Sequence, residues 1–133
     1  MPTAKAKWTG NFQFKATSNS GHTFLIDGDG KVASSPMELV LAALCGCTGY
    51  DVANILQKKR EPFTALEVTA QAEKAPQPPR VYTEIELVYS VRGKVSRKAV
   101  VDAVRLSEEK YCSVSAMLSK TAKITYRIEL DEK

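Results

Sequence analysis

The sequence has a single histidine and no GxSxG segment, and both scarcities argue against a serine hydrolase. A Ser-His-Asp triad would have to recruit His22, and the sharp turn that presents the nucleophilic serine in many hydrolases is missing. His22 follows a turn signal, Ser18 to Gly21, in a predicted hairpin. A structural or surface role is therefore the simpler explanation for this histidine.

The sequence also lacks a basic stretch interleaved with aromatic residues, and it lacks an apolar N-terminal segment. The formal net charge is +4, but the 19 Lys and Arg residues are spread along the chain and are not interleaved with aromatic residues. This pattern disfavours nucleic-acid binding. The N-terminal MPTAKAKWTG has no apolar core of a secretory signal. Together with an odd number of cysteines, three, it predicts a cytoplasmic protein with free thiols.

Two metal sites can be considered, and the spacing of the residues disfavours both. The acidic run at residues 27–30, DGDG, lacks the distal glutamate of a calcium-binding loop. Three cysteines and His22 could form one zinc site on paper. However, Cys45 and Cys47 lie two residues apart, hence about 200° apart around a helix, so they can neither share a metal nor readily pair. We expect no metal and no cofactor.

The longest apolar segment, residues 35–60, predicts a central helix on which the sheets close. Residues 39–47 offer no polar face, and a helix that is apolar all round is buried. Asp51 and Asn54 interrupt the run too soon for a membrane span. Gly46 and Gly49 weaken a helix, and they are tolerable where another backbone, such as that of a partner helix, approaches closely.

The ends of this helix carry recognisable signals. Ser34 or Ser35 can cap the N-terminus, with Pro36 at the first helical position. Glu38 in the first turn favours the helix dipole. The basic residues 58–60 precede Pro62 and serve either as helix-end charges, the simpler explanation, or as a binding patch.

Elsewhere, hydrophobic patterning predicts alternating strands and two shorter helices. The predicted strands cover residues 8–17, 22–26, 65–73, 81–92 and 123–130, and the helices cover residues 97–110, capped by Ser96, and 114–121. Because the strands occur in neighbouring pairs, we expect an α+β fold with largely antiparallel sheets. We see no repeat or long linker, so residues 1–133 are predicted to form a single domain.

The cysteines have two explanations that the residues alone leave open. Cys112 precedes a predicted short helix, where the helix dipole and unpaired N–H groups favour a thiolate. Equally, a free cysteine often serves as a small buried hydrophobic residue. The residues therefore indicate an α+β domain in which a redox-active thiol pair is one possibility.

Two segments together closely resemble the two cysteine motifs of the OsmC/Ohr superfamily, the osmotically inducible and organic-hydroperoxide-resistance proteins. They are PMELVLAALCGCTGYDVANIL, residues 36–56, and EEKYCSVSAML, residues 108–118, and the match is closest to the YhfA-like branch. The resemblance implies the OsmC-like fold, in which antiparallel sheets wrap around a long central helix. It also implies an intertwined homodimer with each active site at the interface.

The resemblance implies a catalytic role for Cys47, eleven residues after Pro36, with Cys112 as the resolving cysteine and Cys45 as a packing residue. Two features depart from the peroxidase branches. Met37 occupies the position of their glutamate, and the neighbouring Glu38, a candidate supporting residue, points about 100° away. The arginine that holds their thiolate is also absent, because no arginine precedes Arg60. The candidate substitutes are four lysines, Lys5, Lys7, Lys15 and Lys31.

Three functions follow from these observations. The first is a thiol peroxidase that reduces an organic hydroperoxide, is restored by an external dithiol, and has apolar walls from Leu44, Met117, Phe12 and Phe14. The second is a non-enzymatic dimer that binds an apolar small molecule or senses redox state. The third is a structural or interaction protein with inert cysteines. None of them involves nucleic acid or a membrane.

Overall fold

A computed structural model describes residues 1–132. The chain divides into two compact units, the first covering Met1–Leu41 and the second beginning at Ala42. A single domain stays a prediction, and each unit is described by itself. The strands are β1 (Ala4–Gly10), β2 (Gln13–Ser18), β3 (Thr23–Asp27), β4 (Phe63–Lys74), β5 (Tyr82–Gly93) and β6 (Lys123–Asp131). The helices are α1 (Pro36–Lys58), α2 (Arg97–Leu106) and α3 (Ser113–Leu118), and a π-helical turn, Ser107–Tyr111, follows α2.

The first unit contains an antiparallel sheet in the order β1-β2-β3. The predicted single strand over residues 8–17 is wrong, because a tight turn between Gly10 and Gln13 divides it into β1 and β2. Asn11 adopts φ 48° there, a conformation that asparagine tolerates. Trp8 pairs with Phe14 across the hairpin. Because paired residues share a face, the alternation continues through the turn and conceals it.

A carboxylate organises the loop after β3. Asp27 accepts backbone hydrogen bonds from Asp29 at 3.0 Å, Lys31 at 3.2 Å and Val32 at 3.0 Å. These N–H groups, that of Val32 foremost, hold the pKa of Asp27 below its usual value. The first carboxylate of the acidic run is thus engaged in closing the loop.

The start of α1 is a capping box, in which Ser35 and Glu38 satisfy each other's backbone N–H groups. The Ser35 hydroxyl accepts from the Glu38 N–H at 3.3 Å, and the Glu38 carboxylate accepts from the Ser35 N–H at 2.8 Å. Of the two predicted caps, the structure selects Ser35. Glu38, predicted as a supporting site residue, therefore has a structural role at this helix end.

Helix α1 buries one stripe of side chains within the chain, namely Leu44, Thr48, Val52 and Leu56. These residues recur every fourth position, as one face of a helix requires. Most other positions are half-buried or exposed, so the predicted burial on all sides is not reached within one chain. The helix is also long and apolar enough to cross a membrane, with a mean hydropathy of 1.6 over 18 residues. The prediction that the apolar run ends too soon to span a membrane is therefore wrong, although the core helix of a soluble protein meets the same criterion.

The second unit contains a sheet in the order β4-β5-β6. Strands β4 and β5 form the predicted long antiparallel hairpin, whereas β6 lies parallel to β5. The parallel pairing has a simple cause, since α2, the π-helical turn and α3 form a crossover between β5 and β6. The buried residues of β5 include Ile85, Leu87, Tyr89 and Val91, on the face predicted to be inward. The α+β class and the long helix are confirmed.

Helix α2 begins as predicted and ends earlier. The Ser96 hydroxyl accepts from the Ala99 N–H at 3.3 Å, as expected for an N-cap. The helix was predicted to continue to Lys110, but it ends at Leu106, and the chain continues as the π-helical turn. The apolar side of α2, which includes Val100 and Val104, is buried.

Candidate functional site

The second unit brings two of the three cysteines together. Cys47 lies half-buried on α1, and Cys112 is buried with 3% of its surface exposed. The two thiols are neighbours, and Cys47 contributes to the raised pKa of Cys112. All three cysteines are free thiols in the part of the chain that the structure describes. The third, Cys45, is half-buried on α1, and burial raises the pKa of its thiol.

The π-helical turn sets the position of Cys112. The Cys112 N–H donates to the Ser107 carbonyl at 2.8 Å, a bond between residues five apart. Cys112 then adopts an extended conformation, with φ −74° and ψ 103°, and α3 begins at the next residue. The predicted break at residues 111–113 is thus confirmed. Cys112 is itself the N-cap of α3, with its Sγ accepting from the Ser115 N–H at 3.3 Å.

The prediction that the helix start favours a thiolate at Cys112 is wrong. Burial is the largest influence on this thiol, and it raises the pKa of Cys112 to about 12. The Ser115 N–H opposes this rise, while Cys47 and the Glu108 carboxylate add to it. The start of α3 is present and favours the thiolate, but the removal of Cys112 from water disfavours the thiolate more strongly. Cys112 is a neutral thiol at physiological pH.

Three hydroxyl groups meet beside the cysteines, and we call Thr48, Tyr89 and Ser107 the hydroxyl cluster. Thr48 Oγ1 lies 2.7 Å from Tyr89 Oη and 2.7 Å from Ser107 Oγ. All three side chains are fully buried. The cluster therefore ties α1, β5 and the π-helical turn together inside the second unit, where an unpaired hydroxyl would be costly.

A carboxylate lies at each end of the hydroxyl cluster. Ser107 donates to Asp51 at 2.9 Å, and Tyr89 donates to Glu108 at 3.3 Å. Glu108 also accepts from the hydroxyl of Ser115 at 2.8 Å. Burial, with a further contribution from the Glu108 charge, raises the pKa of Tyr89 well above its ordinary value. Tyr89 therefore stays protonated and can donate to its partners.

Sequence reasoning missed these polar residues, although a signal for them existed. Thr48 follows Leu44 by one turn on the buried stripe of α1, and Tyr89 occupies an inward position of β5. A polar side chain at a position that patterning assigns to the core needs a hydrogen-bonding partner. Ser107 could not be placed in the same way, since it lies where α2 was expected to continue.

Other predicted residues have different surroundings. Leu44 is fully buried and Met117 is 66% exposed, so Leu44 does not line an open surface. In the first unit, Phe12 is 62% exposed and Phe14 is 37% exposed. The exposed turn before β3 holds His22, whose Nδ1 lies 2.8 Å from Ser20 Oγ, a structural contact as expected. Within residues 1–132 we find no group of three or more His, Cys, Asp or Glu side chains that could hold a metal ion.

The two helix glycines differ in their surroundings. A Cβ atom added at Gly49 would lie 3.4 Å from the Val68 side chain of β4, so a strand of the same chain approaches there. The expectation of a partner helix at Gly49 is therefore replaced by this contact. A Cβ atom at Gly46 would meet nothing within 4 Å among residues 1–132. Gly46 thus faces open space on α1.

Comparison with known proteins places these observations in a family. The model of the OsmC-like protein family matches residues 28–127. Protein YhfA of Escherichia coli strain K12 is 44% identical over 129 residues, which cover 96% of each chain.

Solved structures show the same fold. A hypothetical protein from Aquifex aeolicus is 31% identical with a TM-score of 0.86, over 99% of this chain and 98% of that one. A protein from Legionella pneumophila, described as an organic hydroperoxide resistance protein OsmC and predicted redox protein, is 14% identical with a TM-score of 0.71. The alignment covers 97% of this chain and 96% of that one. The chain belongs to the OsmC-like family.

Proposed function

We propose that the protein is a thiol-dependent redox protein that reduces organic hydroperoxides through Cys47 and Cys112. The observation that carries the proposal is that a half-exposed thiol on α1 neighbours a buried, neutral thiol at the start of α3. A substrate can reach the Cys47 thiol, whereas burial protects the Cys112 thiol until the second step. A hydroperoxide-resistance role named for a relative of the same fold agrees with this chemistry.

In the first step the Cys47 thiolate attacks one oxygen of the hydroperoxide, and the O–O bond breaks. Cys47 becomes a sulfenic acid, and the departing alkoxide takes up the proton that the thiol released, giving an alcohol. In the second step Cys112 attacks the Cys47 sulfur, and the S–O bond breaks. The departing hydroxide takes the Cys112 proton and leaves as water. An external dithiol then reduces the disulfide and is itself oxidised.

The proposal includes a second copy of this chain as partner, a cytoplasmic location, and no part for nucleic acid or membrane. Apolar side chains exposed within one chain favour self-association, because large exposed apolar areas usually mark an interface. They include Trp8 at 64%, Tyr50 at 70% and Met117 at 66% exposure. We expect the site to be completed at this interface.

A second candidate function is a non-enzymatic dimer that binds an apolar ligand or senses redox state. The observation in its favour is the first turn of α1, where Met37 stands at the position of the peroxidases' glutamate and Glu38 caps the helix. No arginine precedes Arg60 to hold the thiolate. Such a protein would bind ligand saturably or oxidise reversibly, with negligible peroxide turnover.

The deciding experiment is peroxide consumption with a dithiol reductant, with cumene hydroperoxide and hydrogen peroxide compared as substrates. We expect wild type to consume the organic substrate faster and Cys47→Ser to lose this activity. Cys45→Ser is the matched control on the same helix and should retain it. Unchanged consumption by Cys47→Ser would refute the catalytic role. No turnover by folded wild-type protein would leave the binding or sensing function.

A further inference from the structure

Glu108 is the second residue of the π-helical turn, and two neighbouring elements hold its carboxylate. The Ser115 hydroxyl of α3 donates to one oxygen at 2.8 Å, and the Tyr89 hydroxyl of β5 donates to the other at 3.3 Å. Both donors belong to buried residues, with Ser115 4% exposed and Tyr89 fully buried. The carboxylate of this half-buried residue is therefore held in place, where water screens its charge less than at the surface.

Ser115 connects this carboxylate to the buried cysteine. Its hydroxyl binds Glu108, and its backbone N–H donates to Cys112 Sγ at 3.3 Å. One residue thus fixes both groups relative to each other. A negative charge held near a thiol raises the free energy of the thiolate, which is the effect that Glu108 exerts on Cys112.

We propose that Glu108 is a positioning residue whose fixed carboxylate adds to the effect of burial in disfavouring the Cys112 thiolate, and so slows the attack of Cys112 on oxidised Cys47. The attack on Cys47 rests on the proposed function, whereas the effect of Glu108 on Cys112 concerns thiol reactivity alone. In the second attack, the S–S bond forms and the Cys112 proton leaves with the hydroxyl of the Cys47 sulfenic acid. The thiol form therefore supplies the proton that this step consumes.

Other ionisable groups surround Cys112 and must be separated from Glu108 in a test. Cys47 on α1 is a neighbour of Cys112, and Tyr89 on β5 donates to the Glu108 carboxylate. Asp51 on α1 is joined to Glu108 through the hydroxyl cluster. Replacing Cys45 and Cys47 by serine removes the other thiols. Tyr89 stays protonated because its pKa is raised, and Asp51 is the same in every variant.

The test measures the rate of iodoacetamide alkylation and the thiolate absorbance of Cys112 against pH in a Cys45→Ser/Cys47→Ser protein. Glu108→Gln removes the charge and keeps an oxygen that can accept from Ser115. We expect it to raise the thiolate fraction of Cys112 at a given pH by about threefold to tenfold, roughly half to one pKa unit. Glu109→Gln, which changes the charge at an exposed neighbouring residue, should leave the profile unchanged.

One further variant and one further measurement distinguish an effect of the charge from a merely structural effect. Glu108→Asp keeps the charge, so its titration midpoint should stay close to that of the parent protein. Near-ultraviolet circular dichroism of each variant checks that Cys112 is still enclosed. An unchanged or higher midpoint in Glu108→Gln would overturn the proposal. So would an equal shift in Glu109→Gln or Glu108→Asp, because the charge at Glu108 would then not be the cause.

The consequence for the second attack is tested with all three cysteines present. After limited cumene hydroperoxide, a dimedone-type probe should trap less of the Cys47 sulfenic acid in Glu108→Gln than in wild type, because Cys112 closes the disulfide faster. Equal trapping in the two proteins would refute an effect of Glu108 on the second attack. If neither protein consumes peroxide, the proposed function fails, while the alkylation profiles still decide whether Glu108 controls Cys112.

Discussion

Thr48 Oγ1 lies 2.7 Å from Tyr89 Oη, so a helix hydroxyl and a strand hydroxyl meet in the buried interior of the second unit. The two residues are 41 positions apart in the sequence. Thr48 also contacts Ser107, which joins the π-helical turn to the same point. The turn that carries Glu108 and leads to Cys112 is thus fixed to α1, which carries Cys47, by hydrogen bonds rather than by apolar packing alone.

Replacing Thr48 by valine removes the central hydroxyl at nearly constant shape. We expect Thr48→Val to lower the free energy of unfolding by about 1–3 kcal/mol, because the buried Tyr89 and Ser107 hydroxyls each lose a partner. Urea unfolding at neutral pH measures the change. Thr48→Ser keeps the hydroxyl and is the matched control. A valine variant as stable as the serine variant would show that the hydrogen bonds of Thr48 add no net stability.

Alkaline pH should destabilise the protein through Cys112. Its pKa is raised from 9.0 to about 12, so at pH values between these the unfolded chain releases a proton that the folded chain retains. The unfolded state then binds fewer protons, and stability falls as pH rises through this window, while below it the two states do not differ at this group. Tyr89 contributes in the same direction at higher pH, because burial raises its pKa too.

Urea unfolding at about pH 8, 9.5 and 10.5 measures this decline. Cys112→Ala lacks the thiol, and we expect its stability to fall less steeply over the same pH values than that of wild type. Tyr89→Phe is the companion variant for the tyrosine contribution. Parallel declines in wild type and Cys112→Ala would show that the thiol ionises equally easily in the folded and unfolded states.

The capping box of α1 gives a third prediction. Ser35→Ala removes the hydroxyl that accepts from the Glu38 N–H, and we expect a loss of about 1 kcal/mol in the free energy of unfolding. Ser34→Ala is the control, because the structure selects Ser35 as the capping residue. Urea unfolding of the two variants decides between them. Equal losses would mean that either serine can cap the helix.

The fold was predictable from sequence where a pattern repeats over many residues. The long β4–β5 hairpin and α1 follow from periods of two residues and from end signals. The turn after Gly10 was missed because cross-strand pairing preserves the alternation through it. The end of α2 was missed because the side chains of the π-helical turn are of types that also suit an α-helix. Only the backbone hydrogen bonds differ there.

The site was only partly predictable for a different reason. The resemblance identified Cys47 and Cys112, and the structure places their thiols as neighbours. The pKa of Cys112 could not be predicted from the sequence. Burial raises this pKa and the helix start lowers it, and only the folded chain determines the extent of burial. Glu108 lies in a run of polar residues, 107–110, and its contacts with Tyr89 and Ser115 depend on the path of the π-helical turn.

Gly46 provides a test of the proposed homodimer. Its surface on α1 is open within the chain, and a Cβ atom there would meet nothing within 4 Å among residues 1–132. If a second copy packs against α1 there, a large side chain must push the two helices apart. We therefore expect Gly46→Leu to shift the protein from dimer to monomer in light scattering after size exclusion, while Gln57→Leu, at an exposed position of the same helix, leaves the dimer intact. In a chain without a partner at this point, Gly46→Ala should only stabilise the helix, by about 0.5–1 kcal/mol. A Gly46→Leu protein that remains dimeric would place the interface away from this face of α1.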